Sequence, residues 1–82
     1  MMLIGAIKKN NREIIRITTE EFKGKEYLDI RTYYKDDKGE WKPSRKGVAI
    51  KPEDIDSLID YISESKDKFS IKTEFIDVPT GL

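Results

Sequence analysis

The chain has no cysteine and no histidine. Without cysteine there is no disulfide to hold a small fold and no thiolate for zinc or redox chemistry. Without histidine the commonest general base and metal ligand is missing, so Ser57, Ser63 and Ser65 have no imidazole to activate them. Glycine is sparse, five in all, and Gly24 and Gly47 lie in no dinucleotide or phosphate-loop pattern. Charge of one sign is also lacking, with 16 Lys/Arg against 16 Asp/Glu. No long hydrophobic run occurs. The longest, Met1 to Ile7, falls far short of the ~20 residues of a spanning helix. Lys8 and Lys9 follow it, whereas a signal peptide places its positive charge first. These absences argue against hydrolase, thiol-redox, zinc and membrane functions. They lead us to expect a non-enzymatic cytoplasmic protein that uses no cofactor or metal.

What is present is enough for one ordered domain. Leu, Ile, Val and Phe number 21 of 82 residues, above the range of disordered chains, and 12 of them are isoleucine. Isoleucine is β-branched and suits strands. A chain this short seldom stabilises itself on one core, so self-association is expected to supply further burial. The neutral total hides a split. Residues 1–50 hold 12 Lys/Arg and 8 Asp/Glu, while residues 51–82 hold 4 and 8. The first fifty residues are therefore the half suited to a polyanion.

The hydropathy pattern reads as a meander followed by a helix. A short apolar stretch, Leu3 to Lys8, precedes a polar turn at Lys9–Arg12. Ile15 and Ile17 share a face of a second strand. Lys23-Gly24-Lys25 marks a tight turn. Tyr27 to Lys35 alternates Leu28, Ile30, Thr32 and Tyr34 against Tyr27, Asp29, Arg31 and Tyr33. Asp36-Asp37-Lys38-Gly39 is a hairpin signal, and Glu40 to Ile50 returns as a fourth strand. Pro43 within it demands an edge position or a bulge. Pro52 opens a helix with Glu53 and Asp54 at its positive end, though Lys51 is a poor cap. Ile55, Leu58, Ile59 and Ile62 form one apolar stripe wide enough for sheet and partner. The helix is expected to stop near Ser65 or Lys66. Phe69, Ile71, Thr73 and Phe75 alternate, predicting a fifth strand. The fold class is α+β: a four-stranded curved antiparallel sheet, one helix and an extra C-terminal strand. Residues 1–66 form the domain and 67–82 an extension.

Two groups of side chains are candidates for a site. Asp36, Asp37 and Glu40 could hold a hard cation, but they lie at a hairpin tip and lack the ligand spacing of a calcium loop. Rings and cations interleave more tellingly. Phe22, Lys23 and Lys25 come first, then Arg31, Tyr33, Tyr34 and Lys35, then Trp41, Lys42, Arg45 and Lys46. Cations can track phosphates while ring faces stack bases of any identity.

In order, E-F-K-G-K (21–25), D-I-R-T-Y-Y (29–34), D-D-K-G-E (36–40), W-K-P-S-R-K-G (41–47) and K-P-E-D (51–54) resemble the family of the transcriptional coactivator positive cofactor four, specifically its single-stranded DNA-binding domain. The resemblance covers about residues 3–65. It implies four curved strands and a helix, a homodimer joined through Ile55, Leu58, Ile59 and Ile62, and binding of single strands across the sheets with little sequence preference. Phe22 and Tyr34 match the base-stacking positions of the family. Lys23, Lys25, Arg31, Arg45 and Lys46 match its phosphate-contacting cations, and Lys42 joins them by its place in the same segment. Tyr34 stands where the best-known members carry tryptophan, Ser44 where glycine is common, and Ile55 where a helical tryptophan is common. No serine-rich regulatory region precedes the motifs, which points to a prokaryotic or phage-type member.

The expected partner is single-stranded or locally melted DNA, in transcription, replication or repair. RNA stays open, as does a protein-interaction module that kept the fold, and contact with transcription machinery is implied only by the resemblance. One tension is visible in the sequence. Arg31 and Tyr34 are three positions apart, an odd step, so a regular strand points them to opposite faces. Both could meet one nucleic-acid strand only across a twisted, bulged or edge-on ribbon.

Overall fold

The structure is a computed structural model in which residues 1–69 are described. Four strands, β1 (Met2–Lys8), β2 (Glu13–Phe22), β3 (Lys25–Lys35) and β4 (Trp41–Ile50), form one antiparallel sheet in sequence order. A 3-10 turn over Pro52–Asp54 leads into α1 (Ile55–Lys66). The α+β meander expected from the periodicity is therefore observed, while the fifth strand expected in the tail lies outside the described residues. None of the helices among the described residues is long and apolar enough to cross a membrane.

Local chemistry sets each turn. Phe22 and Lys25 pair across a two-residue hairpin in which Lys23 has φ 54° and Gly24 φ 79°. Positive φ at both central residues matches the twist of the flanking strands. The β3–β4 turn is closed by the Asp36 carboxylate, whose Oδ1 accepts from the Lys38 and Glu40 amides at 2.9 Å each. Gly39 takes φ 81° there. Lys51 makes no side-chain cap, as expected, and the first turn is 3-10 rather than α.

Register divides the sheet into two faces. β2 and β3 pair without interruption from Glu13–Tyr34 to Phe22–Lys25. Opposite residues share a face, so Lys25, Tyr27, Asp29, Arg31, Tyr33 and Lys35 lie on one side and Leu28, Ile30, Thr32 and Tyr34 on the other. The isoleucine face also takes Ile15, Ile17, Val48 and Ile50 through their pairings. β4 carries the irregularity that Pro43 demanded. Tyr33 pairs with Pro43 and Arg31 with Gly47, setting four steps of β4 against two of β3. An even count on both sides preserves the faces beyond the bulge.

The described residues bury little. Tyr33 is the one buried apolar residue among those described, at 7% exposure. The helix makes only marginal contact with its own sheet. The stripe expected to serve both sheet and partner therefore leaves Ile59 and Ile62 open, each 53% exposed, with Ile55 and Leu58 half-buried.

Candidate nucleic-acid interface

The face opposite the isoleucines carries rings and cations together. Lys8, Arg16, Lys25, Arg31 and Lys35 fall on it by register, with Phe22, Tyr27, Tyr33 and Trp41. Its two strand carboxylates are already engaged. Glu20 Oε2 accepts the Thr18 hydroxyl at 2.7 Å, and Asp29 is paired with Arg31. The Arg16 guanidinium lies 4.6 Å from the Tyr33 ring centre. Lys23 lies 5.3 Å from the Phe22 ring and Lys35 5.3 Å from the Trp41 ring. Each is a cation held against a π-face by the ring quadrupole.

Arg31 is the most constrained of the expected phosphate contacts. Its Nε–H and Nη2–H donate to Asp29 at 2.9 Å each, and Nη1–H donates to the Ser44 carbonyl at 3.0 Å. The paired carboxylate raises the guanidinium's pKa further above its ordinary value, so it stays charged. Its side chain lies flat on β4: a Cβ at Gly47 would stand 2.6 Å from Arg31 Cζ. A Cβ there would force the Arg31 side chain to shift. Ser44 completes the clamp, its hydroxyl donating to the Thr32 carbonyl at 2.8 Å and accepting the Lys46 amide at 3.0 Å. The bulge that presents Arg45 and Lys46 is thus held at three points.

The other expected residues fall into two groups. Phe22, Lys23 and Lys25 sit at the β2–β3 hairpin, with Phe22 64% exposed. Tyr34 and Lys42 are cross-strand neighbours near the other end of β3, on the isoleucine face. The two rings thus lie on opposite faces, and nine residues of β3 separate the levels of Phe22 and Tyr34 in the ladder. β3 itself is regular, so the bulge that could have joined Arg31 to Tyr34 lies instead in β4 and does not bring them together. Lys42 is within 3.8 Å of Asp36 and 3.7 Å of Glu40. Lys23, Lys25, Arg45 and Lys46 have no ion pair among the described residues and are exposed.

Sequence reasoning missed Asp29, Ser44 and Gly47 as parts of the site. The Asp-x-Arg spacing within a strand was a usable signal, because residues two apart share a face. The partner strand's contribution was not, because it depends on the bulge. Acid is concentrated elsewhere. A cleft of about 490 Å³ between the sheet and the start of the helix is rimmed by Glu20, Glu21 and Glu26 over Leu28 and Ile55. No group of three acidic side chains suited to a metal occurs among the described residues.

An open four-stranded meander, one trailing helix and a face of rings and cations define a coactivator-type fold. Residues 9–61 match the family described as Transcriptional Coactivator p15 (PC4), and the chain belongs to that family. It is 45% identical over 53 residues to a putative RNA polymerase II transcriptional coactivator of Caenorhabditis elegans, a match covering 63% of this chain and 43% of that protein. The chain thus spans less than half the length of this curated relative. Among solved structures it is similar to a PC4 homologue from Burkholderia pseudomallei, with TM-score 0.74 and 28% identity over 78% of this chain and 86% of the other. It is also similar to the bacteriophage T5 homologue of PC4 implicated in recombination-dependent DNA replication, with TM-score 0.65 and 25% identity over 78% of this chain and 77% of that one. The family and fold expected from the five sequence motifs are those found.

Proposed function

We propose that the protein binds single-stranded or locally melted DNA, without sequence preference, as a homodimer that performs no chemistry. The observation that carries this reading is the division of the sheet. One face combines cations and rings, and the other is an isoleucine face that its own helix leaves uncovered. The first suits a flexible polyanion with accessible bases. The second suits a second copy of the chain, since exposed apolar patches of this kind mark association sites. Lys23, Lys25, Arg45 and Lys46 supply mobile phosphate contacts. Arg31, its charge balanced by Asp29, braces the bulge that presents Arg45 and Lys46 through the Ser44 carbonyl. Phe22 stacks bases at the hairpin. Membership of the PC4 family supports a role in transcription, and the phage relative supports one in replication or recombination.

Fluorescence anisotropy of a labelled 20-mer, in single-stranded, duplex and matched RNA forms at several salt concentrations, tests the reading. Single strands should bind best, with log K falling against log salt by roughly 0.7 for each phosphate neutralised. Equal affinity for duplex and single strand would reduce the surface to a generic basic patch. Preference for the RNA form would move the partner to RNA. No binding at low salt would leave a protein-interaction module.

A further inference from the structure

We propose that Trp41, with Lys35 over its ring, is a base-stacking position on the cationic face, the counterpart of Phe22 with Lys23 at the far end of the sheet. The inference rests on the single-strand reading above and adds to it a role for Trp41 that the resemblance did not assign.

Register carries the argument. A strand of nucleic acid crossing the cationic face meets Phe22 at the hairpin, but Tyr34 belongs to the opposite face. Two rings share the cationic face at Tyr34's end of the sheet: Tyr33, which is buried under Arg16, and the partly exposed Trp41, paired with Lys35 at the start of β4. Among the described residues β4 is an edge strand, and none of their strands covers its outer side. Trp41 is partly exposed, and its indole N–H donates to no acceptor among the described residues. A buried structural tryptophan normally finds such a partner.

The local setting repeats that of the hairpin. Both Phe22 and Trp41 carry a lysine ammonium 5.3 Å from the ring centre. Neither lysine forms an ion pair among the described residues. Each can leave the ring for a phosphate while a base takes the ring face. The Lys35 amide donates to the Arg12 carbonyl at 3.0 Å, which brings the turn bearing Lys9 and Arg12 alongside. Between the two ring-and-lysine pairs run ten residues of β3, about 33 Å of strand at ~3.3 Å per residue. Arg31 and the Arg45–Lys46 bulge lie between the pairs. That length accommodates several nucleotides, stacked at both ends and neutralised in the middle.

Trp41 is the chain's single tryptophan, so the unmodified protein reports on the site directly. Oligothymidylate of ~20 nucleotides is titrated into the full chain while indole emission and the anisotropy of a fluorescein-labelled oligomer are followed together. Stacking requires emission to fall with the same midpoint as the anisotropy rise. Trp41→Ala should weaken binding roughly 5- to 150-fold, the effect of one lost base stack, with the salt slope unchanged. Trp41→Phe should recover most of the loss, and circular dichroism should show both variants folded. Anisotropy that rises while indole emission and the Trp41→Ala affinity stay constant overturns the assignment and leaves the single-strand reading standing. No anisotropy change with any oligonucleotide overturns both.

Discussion

Lys23 occupies a backbone position that its side chain disfavours. At φ 54° it is the one non-glycine residue with positive φ among those described, a conformation costing an L-residue roughly 1–2 kcal/mol. Asn and Gly accept it far better. Strain held beside a candidate site suggests that the side chain serves the site. Lys23→Asn should therefore raise thermal stability by about 1 kcal/mol while weakening single-strand binding and shallowing the salt slope by roughly 0.7. Thermal melts and salt-dependent anisotropy measure the two effects, and their opposite signs are the test. Gly47 presents the reverse case. Its backbone is unexceptional, but the Arg31 side chain fills the space a Cβ would take. Gly47→Ala should cost about 1–3 kcal/mol through overpacking, because the guanidinium must leave Asp29 or the Ser44 carbonyl. A melting temperature unchanged from wild type would show that Arg31 moves aside freely.

At the scale of the element, the β3–β4 turn makes stability depend on pH. The Glu40 amide, above all, holds the Asp36 carboxyl below its ordinary pKa, with the Lys38 amide and the charge of Lys42 adding to it. A pKa lowered in the folded state means that the contribution to stability is fully present above the unfolded value, near ~3.9. It is lost as pH falls through the lower folded value. Thermal melts should thus show an acid-side loss below about pH 4 that is smaller in Asp36→Asn, which keeps an acceptor but cannot titrate. Equal acid sensitivity in the two proteins would remove Asp36 from the account. Glu13, lowered chiefly by its bond from Asn10 and by Lys9, titrates in the same direction, so some acid sensitivity remains in the variant. Such elements were legible in the sequence because their causes are local. Alternation gave β2 and β3, Asp-x-x-Gly gave the turn, Pro43 gave the irregularity in β4, and the Ile55–Ile62 spacing gave the helical stripe. β2 runs on to Phe22, past the Ile15–Ile17 core of the pattern, since ladder pairing rather than propensity ends it. The site was legible only in parts. Which ring faces which cation depends on how β4 pairs with β3, and a bulge that sets four steps against two cannot be counted from one strand. Hence Phe22 and the bulge cations are readable from spacing, while Trp41's shared face and the Asp29–Arg31–Ser44 clamp are not.

At the scale of the whole molecule, the described residues bury little and leave apolar side chains open. It extends 47 × 38 × 18 Å, a plate rather than a globule. Its accessible surface is 6901 Å², against roughly 5,000 Å² for a compact monomer of its mass. Ile59 and Ile62 on the helix and Val48 on the sheet are each at least half exposed, and all belong to the helix stripe or the isoleucine face. A two-fold contact would cover the same patch on both chains at once and leave the two cationic faces accessible. Light scattering at micromolar concentration should give twice the chain mass. The melting temperature should rise with protein concentration, because association stabilises by mass action. Ile59→Asp would place a carboxylate in that contact, a cost too large for so small a core to absorb. It should yield a monomer with little secondary structure or an unfolded chain, and it should lose single-strand binding although no DNA-facing residue has changed. Tyr61, 70% exposed beside the stripe, provides the graded control, since Tyr61→Ala should lower the melting temperature more at low concentration than at high. A wild-type chain that scatters as a monomer, with a melting temperature independent of concentration, would mean that the isoleucine face stays in water. In that case the sheet would draw its stability from a single chain.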